Sequence, residues 1–281
     1  MGKLRLAIIL VSLLLTTLVL LPLQLFAMRF RPALAARVPM WWQRVAARCL
    51  GLKVRIEGEP VTDRPLLIVS NHTSWVDIVT LGSLLPVSFI AKSEVGGWPV
   101  VKWLARLQRS VFIDRTRRTA TAASNSAIAA RLAGGEALVL FAEGTTGDGI
   151  TVLPFRSALV GAAREASGAD QPITIQPVAI VYVGFQGLPI DRSRMAEIAW
   201  HGHMDLAPHL VSLIEIGAVD AVVAFGTPIR FGPDADRKQV TAAAEAEVRA
   251  MVRSIRARGL KNITVTAASP DAPILSETES G

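Results

Sequence analysis

Leu66 to Asp77 reads LLIVSNHTSWVD, an apolar run that ends in a polar cluster with a histidine and an aspartate five positions apart. The run predicts a β-strand that delivers His72 to its exposed end. Ser74 is placed to cap a following helix, its side-chain oxygen taking an orphan N–H, with Asp77 inside the first turn. In one continuous helix, five residues rotate ~500° and put the two side chains on different faces. The strand-to-helix bend instead lets Asp77 fold back toward the imidazole. A carboxylate on one ring nitrogen fixes the tautomer and stabilises the imidazolium, leaving the other nitrogen to accept a proton from a hydroxyl. No serine accompanies the pair, so the nucleophile has to come from a substrate. The same residues also read as a capping box around Ser74 and Asp77 beside a loop histidine, and other stretches decide between the two.

From Lys53 onward, short β-like runs alternate with helix-like ones. Strands are expected at Lys53 to Ile56, Leu66 to Ser70, Val87 to Ala91, Ser110 to Asp114, Ala137 to Ala142, Ile173 to Val183 and Asp220 to Phe225. Helices are expected at Ser74 to Leu85, Trp98 to Leu107, Arg118 to Ala133, Phe155 to Ser167 and Arg237 to Arg258. This alternation predicts an α/β layer fold, a single domain with a mostly parallel central sheet flanked by helices. Sites in that class gather where strands end and loops begin. The chain divides into a membrane anchor and interfacial helix over 1–52, a catalytic-type domain over 53–260, and a tail over 261–281. The tail is rich in Ser, Thr, Ala, Pro and acid and is expected to be disordered.

A chain of 281 residues with 51% hydrophobic content suffices for one substantial core. The net charge of +7 calls for a polyanionic partner, either nucleic acid or an anionic membrane surface. A mean hydropathy of +0.41 and the uncharged run Leu6 to Met28 favour the membrane. The interleaved aromatics and motifs of a nucleic-acid binder are missing. Pro22 and Gln24 leave a half-inserted helix as an alternative to a full span, and Ala33 and Ala35 leave a cleaved signal peptide as another. Arg29, Arg31, Arg37, Arg44 and Arg48 follow the run, which puts the body on the cytoplasmic side of the inner membrane if the run spans. Trp41 and Trp42 among these arginines fit an interfacial helix or a linker helix packed on the domain. Cys49 is the single cysteine, so no internal disulfide forms.

Two more strands end in polar clusters. Ser110 to Arg115 reads SVFIDR, with Arg117 and Arg118 close behind, and an arginine at a strand end is a ready bidentate partner for phosphate or carboxylate. Ala137 to Asp148 reads ALVLFAEGTTGD, where a glycine after a glutamate permits a sharp turn and close approach to a ligand. Taken singly, these also read as a surface ion pair and a turn. His201, His203 and His209 have no cysteine or paired acid at metal-ligand spacing, so no metal is assigned. Lys92 and Glu94, in AKSEVGGWP, read first as a loop ion pair. No dinucleotide or P-loop glycine pattern is present.

In order and spacing, NHTSWVD, FIDR, FAEGT and the proline strand ITIQPVAI (Ile173 to Ile180) resemble the glycerolipid acyltransferase superfamily. The resemblance covers Leu66 to Ile180 and implies a membrane-bound enzyme without a cofactor. Such an enzyme moves a fatty acyl group from an acyl carrier protein or coenzyme A thioester to a lysolipid hydroxyl. It implies a catalytic dyad at His72 and Asp77, an acceptor-binding Arg115, and substrate contacts at Glu143, Gly144, Thr145 and Thr146. Pro177 is implied to shape the acyl-donor side. Ala142 and Thr146 depart from the family's FPEGTR, and loss of that arginine removes a bidentate contact to an acceptor phosphate. FAEGTTGDG, VLPFRSAL (Val152 to Leu159) and WHGHMDLAPHL (Trp200 to Leu210) are similar to the lyso-ornithine lipid O-acyltransferase subgroup. That resemblance implies an acceptor with a zwitterionic head and no phosphate. Lysophosphatidic acid stays open as an alternative acceptor, because Arg115, Arg117, Arg118 or Arg156 could bind phosphate. A non-catalytic, membrane-tethered lipid-binding protein is the alternative of another class.

Overall fold

The computed structural model describes residues 2–92, 99–113, 118–164, 172–202 and 204–259. Its elements in chain order are α1 (Gly2–Phe30), α2 (Pro32–Leu50), β1 (Leu52–Glu57), β2 (Leu66–Ser70), α3 (Val76–Leu84), β3 (Ser88–Lys92), α4 (Pro99–Leu107), β4 (Val111–Ile113), α5 (Arg118–Ala133), β5 (Ala137–Phe141), α6 (Ser157–Gly161), β6 (Ile173–Phe185), β7 (Leu188–Pro189), α7 (Leu206–Ile216), β8 (Val219–Phe225), β9 (Ile229–Phe231) and α8 (Arg237–Arg258). The expected α/β class, the mostly parallel sheet and the long apolar helix before it are all present.

β2 lies in the middle of the sheet because its residues are apolar on both sides of the pleat, and all five are buried. The order is β1-β8-β6-β2-β5-β3-β4, with β7 and β9 also on β6. The strands from β6 to β4 run parallel, whereas β8 and β1 parallel each other and oppose β6. Period-2 alternation divides the core. Leu67, Val69, Leu138, Leu140 and Val181 pack with α5, α6 and α8, while Leu66, Ile68, Phe141, Ile180 and Tyr182 pack with α1, α2, α3 and α7. Each such apolar side chain contributes roughly 1.5–3 kcal/mol through burial.

Pro177 is buried in β6 opposite Val69. Its carbonyl accepts from Gly226 N–H at 2.8 Å, on the side where β6 changes partner from β9 to β8. A strand residue's N–H points to the same side as its C=O, so the donor that proline lacks falls at this gap and breaks no rung.

At 29 residues, α1 is about 43 Å long, and Pro22 does not interrupt it. By length and composition it is long enough to cross a membrane. It lies along the domain and touches it near both ends. Ile9 is buried in the core shared with α7, and Gln24 Nε2 donates to Leu107 O at 2.7 Å and to Ala35 O at 3.1 Å. Its outer face exposes leucines such as Leu14 and Leu18. Pro32 occupies the first turn of α2, where a missing N–H is harmless, and Gly51 at φ 69° closes that helix in the left-handed region. Trp42 turns inward and donates to Thr17 Oγ1 of α1 at 2.9 Å, so α2 is a packed helix on this side, while Trp41 is exposed.

Three expectations are corrected. Of the helix expected over Phe155 to Ser167, residues 165–167 lie outside the described residues, and the described part is helical only over Ser157–Gly161, after which bonds from Ala162 N–H to Leu159 O and from Ala163 N–H to Val160 O tighten into a turn. Leu206–Ile216, not anticipated as a helix, forms α7, in which Pro208 sits within the first turn and needs no N–H acceptor. Ser74 is not the cap of α3, for the reason given next.

Candidate active site

The chain leaves the sheet after Ser70 without losing its hydrogen bonds. Asn71 continues the ladder with its carboxamide, Nδ2 donating to Ile180 O and Oδ1 accepting from Ile180 N, both at 2.9 Å. The main chain is thereby free to turn, and Asp77 organises the turn from ahead. Asp77 Oδ2 accepts from Thr73 N–H at 2.7 Å, from Ser74 N–H at 2.9 Å and from His72 Nδ1 at 2.7 Å. Oδ1 accepts from the Tyr182 hydroxyl at 2.6 Å. The capping runs opposite to expectation: α3 begins at Val76, the Ser74 hydroxyl is buried without a hydrogen-bond partner, and the carboxylate reaches back instead. The Asp77 N–H that a Ser74 cap would have bound donates instead to the Ser74 carbonyl at 3.0 Å, which leaves the hydroxyl no amide to accept from.

Because a carboxylate only accepts, His72 Nδ1 carries the proton, and in the neutral ring Nε2 is then the nitrogen with the lone pair. The imidazole lies flat on Phe141, ring centroids 3.8 Å apart and 9° from parallel. Its side chain is 17% exposed while that of Asp77 is fully buried, so the base is reachable and its partner is not. Burial, and then the adjacent Asp77 charge, holds the Tyr182 phenol well above its ordinary pKa, which keeps it a donor.

β5 pairs with β2 in register, Ser70 opposite Phe141, so the two strands end side by side. Glu143 follows β5, is 3% exposed, and faces the turn rather than the solvent. Its Oε1 accepts from His72 N–H at 2.9 Å and its Oε2 from Leu153 N–H at 3.1 Å. Burial raises its pKa to about 7, with the two amide donors and Arg249 opposing the rise and Asp77 reinforcing it. Gly144 turns the chain at φ 74°, its N–H held by Phe141 O at 3.1 Å, and Gly147 N–H donates to His72 O at 2.8 Å. Thr145 is exposed and Thr146 half-buried on this loop. The exposed Arg156 donates from Nε to Glu143 O at 3.2 Å, and Arg256 of α8 binds the carbonyls of Gly149 and Ile150.

A third wall comes from the segment before α7. Trp200 N–H donates to Thr73 O at 3.0 Å, and Trp75 Nε1 donates to His209 Nδ1 at 3.0 Å. His209 is therefore occupied by the turn itself, and burial lowers its pKa. His201 is exposed nearby. Lys92 ends β3, whereas Arg115, Arg117, Glu94 and His203 lie outside the described residues.

Of the residues expected at a site, the structure brings together His72, Asp77, Glu143, Gly144, Thr145 and Thr146, with Pro177 in the sheet beside β2. Asn71, Phe141 and Tyr182 were not anticipated. Tyr182 carried a signal: it is the chain's one tyrosine, inside an apolar strand, and a buried phenol needs a partner.

Residues 53–181 match the family model described as Acyltransferase. A lyso-ornithine lipid O-acyltransferase of Brucella abortus is 42% identical over 257 residues, covering 90% of this chain and 96% of that protein. The chain belongs to the acyltransferase family. A 1-acyl-sn-glycerol-3-phosphate acyltransferase of Neisseria gonorrhoeae is 34% identical over 55% of this chain and 58% of its own length. The acyltransferase fold also matches the crystal structure of a 1-acyl-sn-glycerophosphate acyltransferase from Thermotoga maritima, with a TM-score of 0.61 and 22% identity, over 92% of this chain and 99% of that one. This acyltransferase thus presents an imidazole whose Nε2 meets no partner among the described residues, at the end of a central strand and on the sheet face that also carries α1 and α2.

Proposed function

We propose that this enzyme acylates the hydroxyl of lyso-ornithine lipid, using an acyl carrier protein or coenzyme A thioester as donor. The observation that carries the reading is the His72–Asp77 pair at 2.7 Å, with Nε2 bonded to none of the described residues. A lipid alcohol has a pKa far above 7 and attacks a thioester slowly unless its proton leaves as the bond forms. His72 Nε2 takes that proton while the acceptor oxygen bonds to the thioester carbonyl carbon. Collapse of the tetrahedral species breaks the carbon–sulfur bond, and the imidazolium returns the proton to the departing thiolate. Developing oxyanion charge is stabilised from the amino end of α3.

Asp77 orients and charge-stabilises His72. Glu143, Gly144 and Pro177 act through position, holding the two strand exits together, while Thr145, Thr146 and Arg115 meet the acceptor. Supporting the acceptor assignment are the Brucella relative's name and Thr146, which is uncharged where the superfamily pattern carries arginine. Arg156, exposed beside Glu143 O, supports lysophosphatidic acid as the second reading. Contacts near both ends of α1 support a helix lying within one leaflet of the inner membrane, with the domain on the cytoplasmic side. His72 shares that face of the sheet, within reach of an acceptor that never leaves the bilayer.

The test is an acceptor panel: purified enzyme, labelled acyl-carrier thioester, and lyso-ornithine lipid or lysophosphatidate in detergent. Lyso-ornithine lipid is expected to be the better acceptor, and His72→Ala to lower turnover about 10³-fold. Product from lysophosphatidate alone overturns the acceptor. Transfer undiminished by His72→Ala overturns the mechanism and favours a lipid-binding role.

A further inference from the structure

The end of the sheet away from His72 carries a second polar cluster. Arg109 and Ser110 lead into β4, Glu136 leads into β5, and Arg131 lies in the last turn of α5. Leu66 N–H donates to Glu136 O, so the cluster is level with the start of β2. That is roughly 13 Å along the strands from Ser70. Together with Arg106 of α4 and Met28 of α1, these residues line an open groove of about 550 Å³.

Charge in the groove is unbalanced. Glu136 Oε1 accepts from Arg109 Nη2 at 2.6 Å and from Arg131 Nε at 2.5 Å, and Oε2 accepts from Arg131 Nη2. Arg131 is further spent on Arg109 O at 2.9 Å and Ser88 Oγ at 3.0 Å. Arg109 commits Nη2 alone, and Arg106 is exposed, so three guanidiniums face one carboxylate. Arg109 stands at φ 59° because it closes α4, its N–H donating to Arg106 O and that of Ser110 to Ala105 O, both at 2.9 Å, and this close fixes where its side chain leaves the helix.

The groove opens onto apolar surface. Met28, 46% exposed, lines it at the end of α1, Phe26 and Phe30 are exposed beside it, and α4 exposes Trp103 at 45%. Gln24, bonded to Leu107 O, ties α1 to the end of α4 and fixes this juxtaposition. Fixed cations bordered by an exposed apolar helix match a ligand with a phosphodiester on one side and acyl chains on the other.

We propose that this groove binds the headgroup of an anionic membrane phospholipid, whose phosphodiester meets Arg106 and Arg109 and whose chains lie along the outer face of α1. The inference rests on α1 lying in the bilayer. Its consequence is that the acyltransferase is seated at two points, α1 in the apolar layer and the groove at headgroup level, which sets the tilt that presents His72 to its acceptor.

Native mass spectrometry of the detergent-purified full chain, titrated with dioleoylphosphatidylglycerol or dioleoylphosphatidylcholine, tests it. The wild type should retain the anionic lipid about tenfold more tightly, two guanidiniums contributing about fivefold each at most. Arg109→Gly relaxes the backbone and leaves Arg131 on Glu136, so the fold is not at risk. It should weaken phosphatidylglycerol binding about fivefold, and the double variant Arg106→Ala/Arg109→Gly should abolish the preference. Arg253→Ala, at an exposed α8 position outside the lining of the groove, should change nothing. Equal retention of both lipids by the wild type, an unchanged preference in the double variant, or displacement of the lipid by equimolar inorganic phosphate overturns the proposal. Flotation with phosphatidylcholine vesicles separates the two readings. Failure of the wild type to float overturns the embedded α1, whereas flotation with no lipid preference overturns the groove alone.

Discussion

β2 and β5 are neighbours in register and end at the same level, yet they leave the sheet by different means. The exit from β2 is held by side chains: Asn71 extends the ladder, and Asp77 gathers the donors of His72, Thr73, Ser74 and Tyr182. The exit from β5 is held mainly at its backbone, with Gly144 at φ 74°, Gly149 at φ 73°, and the carbonyls of Glu143, Gly149 and Ile150 bound by Arg156 and Arg256. Glu143 is the strut between them. The difference teaches where change is tolerated. A loop shaped by backbone presents side chains such as Thr145 and Thr146 that are free to vary with the acceptor, whereas in the β2 exit nearly every polar group is committed to holding the base.

The comparison is broken most severely by Asp77→Asn. A carboxamide sets donors against the amides of Thr73 and Ser74 and no longer stabilises the imidazolium. Turnover should fall about 10³-fold, with roughly 1–3 kcal/mol lost from stability. A rate assay paired with urea unfolding checks both, and a loss of rate under tenfold would mean that the pair is not the proton relay.

Glu143→Gln attacks the strut. In the native protein this carboxyl titrates near pH 7, above its ordinary value, so between about pH 4.5 and 7 the folded state binds more protons than the unfolded. Its contribution is present at low pH and is lost as pH rises through 7, by roughly 2–3 kcal/mol. The glutamine variant should flatten that decline, so urea midpoints at pH 5 and pH 8 should converge relative to wild type. Parallel curves would sink the assignment.

A smaller effect is expected from Tyr182→Phe, which removes one of four donors to Asp77 and leaves the ring in place. Turnover should drop about tenfold, equivalent to about 1.4 kcal/mol. The pH–rate profile should shift as well, a change that simple loss of packing does not produce. Unchanged kinetics and profile would show the phenol to be mere filler.

Thr146→Arg should leave stability and the β2 exit almost untouched. It should raise relative use of lysophosphatidate over lyso-ornithine lipid by roughly tenfold, the contribution of one bidentate anion contact. An unchanged acceptor ratio would place discrimination elsewhere than on the β5 exit.

What was legible in the chain follows sequence distance. His72 and Asp77 stand close enough that one strand and one turn relate them, and the buried strands announced themselves as apolar runs. Misreadings arose where local rules compete. Ser74 satisfied the pattern of a cap, but the amide it would have bound, Asp77 N–H, closes a turn on the Ser74 carbonyl instead. The stretch from Phe155 to Ser167 had helical composition, yet its first turns tighten at Gly161. Leu206 to Ile216 carries Pro208 and His209 in its first half, which break the helical pattern locally although the segment has an apolar face that buries Leu213 and Ile214. Arg109 carries no signal in its local sequence, and only the tertiary arrangement sets it in a groove with Arg106, Arg131 and Glu136.

Sequence alone determined the α/β class, the apolar first helix and the base with its carboxylate, since burial periodicity and short-range geometry suffice for each. Tertiary structure decided the rest. Tyr182 meets Asp77 across 105 positions, and Asn71 meets Ile180 across 109. Phe141 covers the imidazole, and Met28 borders the groove of Arg109. Such partners are selected by which strands pair and in what register, a property of the whole sheet that no local window contains.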